Sequence, residues 1–145
     1  MSKPWLTFDC HDTLVRYSEG KAAALATLVR EKGGDDAAVD RAQSAFEACE
    51  RKLQLDPFII FNAVLRKSLH AGLEAAGLPI TASDEETIIK AVKLSEPFPD
   101  TGPALADLKR DFRLAILSNS EPEIIRHNIA SIGIEFDAVV LAAEA

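Results

Sequence analysis

The chain has 145 residues, of which 48% are hydrophobic and 27% are charged, a balance typical of globular proteins. The 23 acidic residues outnumber the 16 Lys and Arg residues and give a net charge of −7, which argues against nonspecific binding to nucleic acid. No apolar run approaches the ~18 residues of a membrane span, and two cysteines form neither a disulfide framework nor a metal-binding motif. We therefore expect a cytoplasmic protein of one domain, or of a small domain with an insertion.

The N-terminal segment predicts a strand followed by a polar loop. Residues 5–9 are short, apolar and rich in strand formers, which is typical of a buried strand. The strand ends at an acid, Asp9, and residues 10–13 are polar and without periodicity. A carboxylate is therefore expected at the carboxyl end of the first strand.

The next part of the chain, to about residue 95, is helical in character. Its apolar residues recur at helical spacing, and its helices are separated by Gly-Gly, Asp-Pro and single-Gly breaks. The predicted helices run over residues 22–30, from a cap at Asp35 or Asp36 to about 53, over 58–76, and from a capping box of Ser83 and Glu86 to about 94. Two prolines at positions 97 and 99 then exclude a regular helix.

After these prolines the pattern alternates between helix and strand. It predicts a helix over 101–110, a strand over 112–117, a helix opened by a capping box of Ser120 and Glu123, and a strand over 136–141. Such alternation indicates a parallel sheet. We therefore predict an α/β fold, with an incomplete core formed by residues 1–14 and 97–145 and a helical cap formed by residues 15–96, inserted after the first strand.

Polar clusters follow two of the predicted strands, at residues 9–13 and 118–120. If these strands are parallel neighbours, both clusters lie at the edge where ligands of open α/β sheets bind. The second cluster also opens a helix, whose amino end favours an anion. Turn formation and helix capping explain each cluster taken alone, but together they favour a site where a carboxylate faces an anionic substrate.

These clusters resemble the motifs of the haloacid dehalogenase (HAD) superfamily. Residues 8–14, Phe-Asp-Cys-His-Asp-Thr-Leu, resemble its first motif, and residues 117–120, Leu-Ser-Asn-Ser, resemble its second. The segments at 97–101 and 134–137 are placed as in the L-2-haloacid dehalogenase branch, whose helical cap the insert also resembles. The resemblance covers the whole chain and implies a Rossmann-like core.

The resemblance implies roles for individual residues. Asp9 would be the nucleophile, Thr13 would orient it, and Ser118 and Asn119 would bind the anionic group of the substrate. The implied reaction is the hydrolytic dehalogenation of a small 2-haloacid through an aspartyl ester on Asp9, since a carboxylate that is desolvated and well aimed can act as a nucleophile.

Position 11 distinguishes the branches of the superfamily. Its phosphatases place a second Asp two residues after the nucleophile, whereas this chain has His11, and the dehalogenase branch commonly has an aromatic residue there. Together with Cys10, a small residue beside the nucleophile, and Arg41 of the insert, His11 is assigned to substrate binding, with Arg16 as the alternative cation. Asp12, where the branch prefers Gly, is interpreted as a turn residue.

The dehalogenase mechanism implies no metal and no other cofactor. The alternative, a phosphohydrolase, implies Mg²⁺ bound by Asp9 and a later acidic motif. A third hypothesis is a non-catalytic truncated fragment, because no Lys follows Lys109 and the family's third motif supplies one. The chain alone is therefore expected to be inactive. Beyond a small anionic substrate, the expected partner is a second copy or a C-terminal remainder, bound along residues 138–141, with no nucleic acid and no membrane.

Overall fold

The computed structural model describes residues 2–144. Its strands are β1 (Trp5–Phe8), β2 (Arg113–Ser118) and β3 (Ala138–Leu141). Its helices are α1 (Tyr17–Glu31), α2 (Asp36–Leu55), α3 (Phe61–Ala75), α4 (Ala82–Lys93), α5 (Thr101–Leu108) and α6 (Pro122–Ile132), and a short 3₁₀ turn covers Ala142–Glu144.

The chain divides into two compact units. The helical unit comprises Glu19–Val92, and the α/β unit comprises the chain up to Ser18 and from Lys93 onward. The sequence placed the divisions after residues 14 and 96, four residues from each observed division. The discontinuous unit carries all three strands and both polar clusters.

The α/β unit contains a three-stranded sheet in the order β1-β2-β3, and both strand pairs are parallel. Phe8 lies opposite Ile116, and Ser118 lies opposite Leu141. One face of the sheet packs on a buried cluster that includes Leu14, Leu105, Leu114, Ile116, Ile125, Ile132 and Leu141. The predicted α/β class with a parallel sheet is therefore confirmed.

The opposite face of the sheet is exposed within residues 2–144. Trp5 is 48% exposed, Leu117 is 46% exposed and Val140 is 50% exposed. Their positions in the register, with Leu117 opposite Val140, place them on the face that alternates with the core-facing side chains. We call this surface the open face. The prediction that β1 is a buried strand is wrong, because β1 lies at an edge and only one of its faces packs on the core.

The helical unit is held together by close packing and by ion pairs. A Cβ atom at Gly72 of α3 would lie 2.8 Å from the carbonyl oxygen of Ala42 in α2, so only glycine permits this approach of the two helices. The buried Nζ of Lys21 in α1 lies 2.7 Å from Oε1 of Glu50 in α2.

Helix starts agree with the sequence analysis at α2 but not at α4. The Asp35 side chain accepts a hydrogen bond from the Ala38 amide at 2.9 Å, which confirms the predicted cap. Helix α4 begins two residues earlier than a Ser83–Glu86 capping box requires. Instead, the Thr81 amide donates to Oδ2 of Asp84 at 2.8 Å, and the same oxygen lies 2.8 Å from Nζ of Lys32.

The predicted capping box of Ser120 and Glu123 at α6 is also wrong. Glu121 occupies the N-cap position, and its side chain makes no capping hydrogen bond to the first turn. Oγ of Ser120 is buried with no hydrogen-bond partner in the described part of the chain. Glu123 instead binds Nζ of Lys93 at 2.7 Å, and this hydrogen bond lowers the pKa of the Glu123 carboxyl. The Glu123 carboxylate thus binds a lysine distant in sequence instead of the backbone at the start of its own helix.

Two segments of the α/β unit pair where the chain leaves for the helical unit and returns from it. Val15 forms an antiparallel bridge with Pro97, and the Arg16 amide donates to the Glu96 carbonyl at 2.7 Å. We call this pair of segments, residues 14–16 and 96–98, the stem.

Candidate active site

The two polar clusters lie at the same edge of the sheet. Asp9 directly follows β1, and Ser118 is the last residue of the parallel neighbour β2. Asp9 is exposed, and its Oδ1 accepts a hydrogen bond from the Cys10 amide at 2.9 Å. The sheet therefore brings a solvent-accessible carboxylate and the hydroxyl of Ser118 to one edge, as the sequence predicted.

The cluster after β2 presents groups that can hold an anion. Oγ of Ser118 accepts a hydrogen bond from the Ser120 amide at 3.1 Å, and Asn119 between them is exposed. Helix α6 begins at Pro122, so the cluster precedes the amino end of a helix. Hydroxyl and amide groups beside a helix amino end favour a carboxylate or phosphate group.

The loop after Asp9 is a tight turn stabilised by backbone and side-chain hydrogen bonds. The Cys10 carbonyl accepts the Leu14 amide at 2.8 Å. Asp12 adopts a left-handed conformation with φ of 64°, and its carboxylate accepts the Ser18 amide at 2.7 Å and the Ser18 hydroxyl. The interpretation of Asp12 as a turn residue is confirmed, since the conformation is one that Asp tolerates better than most side chains do.

Thr13 lies in this turn with an exposed side chain. Its amide donates to the Cys10 carbonyl at 3.3 Å, and within residues 2–144 no hydrogen bond joins its hydroxyl to Asp9. The Cys10 amide orients the Asp9 carboxylate in this structure. An orienting role for Thr13 stays a prediction.

Cys10 belongs to the core, with no exposed surface. Burial, together with the adjacent Asp9 charge, raises the pKa of the Cys10 thiol to about 12. Only a thiolate is a strong nucleophile, so Cys10 does not compete with Asp9 at neutral pH. Its place in the core leaves it no surface of its own to offer a substrate, although its neighbours in the loop are accessible.

His11 is half-buried and held from two sides. Its ring stacks on Tyr17 with centroids 4.6 Å apart and planes 10° apart, and Nε2 lies 3.0 Å from Oδ1 of Asn128. Asn128 is fully buried on the apolar face of α6 between Ile125 and Ile132. Asn128 was not predicted as a site residue, although a polar residue within an apolar stripe of helical spacing is a usable signal.

The two candidate cations lie in different units. Arg41 is exposed on α2 of the helical unit, where its Nε donates to the Ala75 carbonyl at 3.3 Å. Arg16 belongs to the α/β unit, and its guanidinium carbon lies 5.9 Å from the centre of the Phe98 ring. The structure thus gathers Asp9, His11, Thr13, Ser118 and Asn119 in one unit, and Arg41 lies outside it.

Within residues 2–144, no three His, Cys, Asp or Glu side chains are grouped so that they could hold a metal ion. Among the helices of the same residues, none is both long enough and apolar enough to cross a membrane.

Comparison with known proteins places this geometry in a family. The model of the haloacid dehalogenase-like hydrolase family matches residues 5–144. No curated protein matches the sequence. The L-2-haloacid dehalogenase of Xanthobacter autotrophicus superposes with a TM-score of 0.75 at 25% identity, over 99% of this chain and 58% of that enzyme.

Two further structures share the fold. The Xanthobacter enzyme with chloropropionic acid covalently bound superposes with a TM-score of 0.75 at 22% identity, again over 58% of that chain. Magnesium-bound YfnB of Bacillus subtilis, proposed to be a HAD-hydrolase, superposes with a TM-score of 0.81 at 15% identity, over 99% of this chain and 67% of that one. The sequence therefore spans 58–67% of the length of these relatives. With a family model that matches nearly its whole length, the chain belongs to the haloacid dehalogenase-like hydrolases, as its two motifs predicted.

Proposed function

We propose that this protein acts in the hydrolytic dehalogenation of a small 2-haloacid, with Asp9 as the nucleophile. The observation that carries the proposal is the exposed Asp9 carboxylate at the same sheet edge as Ser118 and Asn119, in a chain of this family. The proposal includes action in the cytoplasm and requires no metal or other cofactor.

The reaction has two steps. A carboxylate oxygen of Asp9 attacks C2 of the haloacid, and the C–halogen bond breaks as the halide leaves with its electron pair. Water then attacks the carbonyl carbon of the resulting ester, and the ester C–O bond breaks. One proton of water passes to the departing alkoxide and the other to solvent, which releases the 2-hydroxy acid and restores Asp9 with one oxygen from water. The halide needs no proton to leave, so the first step depends on Asp9 and on a site that orients the acid.

Similarity to the Xanthobacter enzyme supports the reaction class, and the covalent chloropropionic acid in the second structure of that enzyme supports a covalent intermediate. Because this chain spans 58% of that enzyme, the activity itself is part of the proposal.

Substrate binding must overcome charge repulsion. Two negative charges ~4 Å apart at an effective dielectric constant of ~20 repel by about 4 kcal/mol. We propose that Ser118 and Asn119 hold the substrate carboxylate by hydrogen bonds, that Thr13 orients Asp9, and that His11 forms the wall beside it. Arg41 is the proposed cationic anchor and Arg16 the alternative. In a complete enzyme that contains these 145 residues, Arg41→Gln and Arg16→Gln separate the two. Loss of the anchor should raise KM for 2-chloropropionate at least tenfold, and loss of the other arginine should leave KM unchanged.

Intact-protein mass spectrometry tests the nucleophile. A complete enzyme that contains these 145 residues should gain the mass of the ester when it is incubated with 2-chloropropionate, and peptide mapping should place the ester on Asp9. Asp9→Asn should form no ester, whereas the control Asp111→Asn, an exposed acid at the far end of β2, should behave as the parent does. In ¹⁸O-labelled water, the first product should carry an unlabelled oxygen from Asp9. Immediate incorporation of ¹⁸O would mean that water attacks C2 directly, and the role of Asp9 would be wrong.

The alternative is a Mg²⁺-dependent phosphohydrolase, in which Asp9 would be a ligand of the ion and would attack phosphorus. We retain this alternative because magnesium-bound YfnB shares the fold of the chain. Halide release that persists in EDTA supports the dehalogenase, and turnover of an aryl phosphate only with Mg²⁺ supports the alternative. An activity assay on the 145-residue chain beside a longer gene product tests the hypothesis of a non-catalytic fragment, which is supported if neither forms an ester or turns over either substrate.

A further inference from the structure

Asn128 connects the loop that carries Asp9 to the buried face of α6. Its Oδ1 lies 3.0 Å from Nε2 of His11 and 4.0 Å from Sγ of Cys10. Its Nδ2 donates to the carbonyl oxygen of Lys93 at 3.2 Å. A fully buried amide of this kind is retained in a core only when its polar atoms are hydrogen-bonded, and here the partners belong to two separate segments, the loop after β1 and the last residue of α4.

The hydrogen bond to Lys93 determines which way the amide points. A backbone carbonyl can only accept, so the Asn128 amino group must face Lys93 and the Asn128 oxygen must face His11. The oxygen also can only accept, and therefore Nε2 of His11 must carry a proton. In a neutral imidazole only one nitrogen is protonated, so Nδ1 then bears the lone pair.

Stacking fixes the remaining freedom of the ring. Tyr17 is buried at the start of α1, and its ring lies nearly parallel to that of His11. The stack defines the plane of the imidazole, and the hydrogen bond to Asn128 defines its rotation within that plane. Both the orientation and the tautomer of His11 are thus determined by residues that do not themselves flank Asp9.

We propose that Asn128 is a positioning residue that holds neutral His11 as the Nε2–H tautomer. The consequence of this positioning for catalysis rests on the proposed function. In this tautomer His11 has an acceptor at Nδ1, and its proton at Nε2 is engaged by Asn128. A neutral His11 so held does not supply a proton to a leaving group. A halide that departs in the first step needs none, and in the second step the attacking water supplies the proton, whereas a departing alkoxide of a phosphate ester needs a proton donor.

Nitrogen NMR on the full chain tests the tautomer without any need for turnover. With ¹⁵N-labelled histidine, Nε2 of His11 should resonate as a protonated nitrogen and Nδ1 as an unprotonated one, at a pH where the ring is neutral. His11→Gln identifies the signals of His11. His127→Gln, a substitution at an exposed position of α6 beside Asn128, should leave those signals in place. An Nδ1–H tautomer in the parent protein would overturn the proposal even if every Asn128 variant failed to fold.

Two variants separate positioning from a purely structural role. Asn128→Asp keeps an acceptor toward His11 but loses the donor to Lys93, and Asn128→Leu loses both. We expect the Asp variant to keep the proton on Nε2 and the Leu variant to shift both nitrogens toward values averaged over two tautomers. Equal spectra for the Leu variant and the parent would contradict the proposal. If the tautomer is as proposed but no ester forms on Asp9, the proposed function fails and the positioning role stands.

Discussion

At the scale of single residues, the Cys10 thiol is kept protonated beside the proposed nucleophile. Burial, reinforced by the neighbouring Asp9 charge, raises its pKa to about 12, whereas Cys49 on α2 is partly exposed. Iodoacetamide at pH 8 should therefore modify Cys49 well before Cys10, as measured by peptide mass spectrometry over time. In urea the two thiols should react at similar rates. Rapid modification of Cys10 in the native protein would contradict its burial.

Asp12 combines an unfavourable backbone conformation with two side-chain hydrogen bonds. Alanine at this position would lose the bonds to Ser18 and keep the left-handed strain, whereas glycine would lose the bonds and remove the strain. We expect Asp12→Ala to lower the free energy of unfolding by about 2 kcal/mol and Asp12→Gly by about 1 kcal/mol less than that. Urea unfolding measures both. A glycine variant less stable than the alanine variant would mean that φ of 64° carries no strain.

At the scale of secondary-structure elements, the start of α4 depends on Asp84. Burial alone would raise the pKa of this carboxyl, but hydrogen bonds from Lys32 and Thr81 outweigh it, and the net pKa lies below its ordinary value. A carboxyl with a lowered folded-state pKa stabilises the fold above its unfolded pKa, and this contribution is lost as pH falls through the folded-state pKa.

Asp84→Asn should therefore lower the free energy of unfolding by about 1–2 kcal/mol at pH 7. The difference from the parent should shrink as pH falls below the unfolded-state pKa of Asp, about 4, and should vanish below the lower folded-state pKa of Asp84. Glu86→Gln is the matched control, because it alters the residue that a Ser83–Glu86 capping box would use, and we expect a change within about 0.5 kcal/mol. A larger effect of Glu86→Gln would restore that capping box.

The elements and the strand-end clusters could be predicted because their signals are local. The cap at Asp35, the break at Gly77 and the carboxylate after β1 each depend on neighbours within a few residues. The start of α4 was mispredicted because Thr81–Asp84 and Ser83–Glu86 both fit the capping pattern, and Lys32, about fifty residues away, binds Asp84. Asn128 could be noticed but not interpreted, since its partner His11 is 117 positions distant.

At the scale of the whole molecule, the sheet has exposed apolar surface and two edges. Residues 138–141, along which the sequence predicts a bound partner, form the edge strand β3, and the order β1-β2-β3 makes β1 a second edge. Strand edges and apolar patches attract further chains. We therefore expect concentration-dependent association of the 145-residue chain, measured by sedimentation velocity.

Substitutions on the open face distinguish it from other exposed apolar sites. Leu117→Lys and Val140→Lys together should reduce association, whereas Leu55→Lys, on an 83% exposed residue of the helical unit, should not. A monomer at all concentrations would contradict the expectation. The prediction that the isolated chain lacks turnover is tested in the same samples, by halide release before and after the association is weakened.

The stem has a consequence for the order of folding. The helical unit is one continuous stretch of sequence. The α/β unit is assembled from two stretches that the helical unit separates in sequence. Pairing Val15 with Pro97 in an unstructured chain closes a loop of about eighty residues, and the entropy cost of closure grows with loop length. A helical unit already folded would shorten the effective loop. Pulsed hydrogen exchange should therefore detect protection of the amides of α2 and α3 before protection of those of β1 and β2. Pairing across the stem should be the first step in the later folding of the α/β unit.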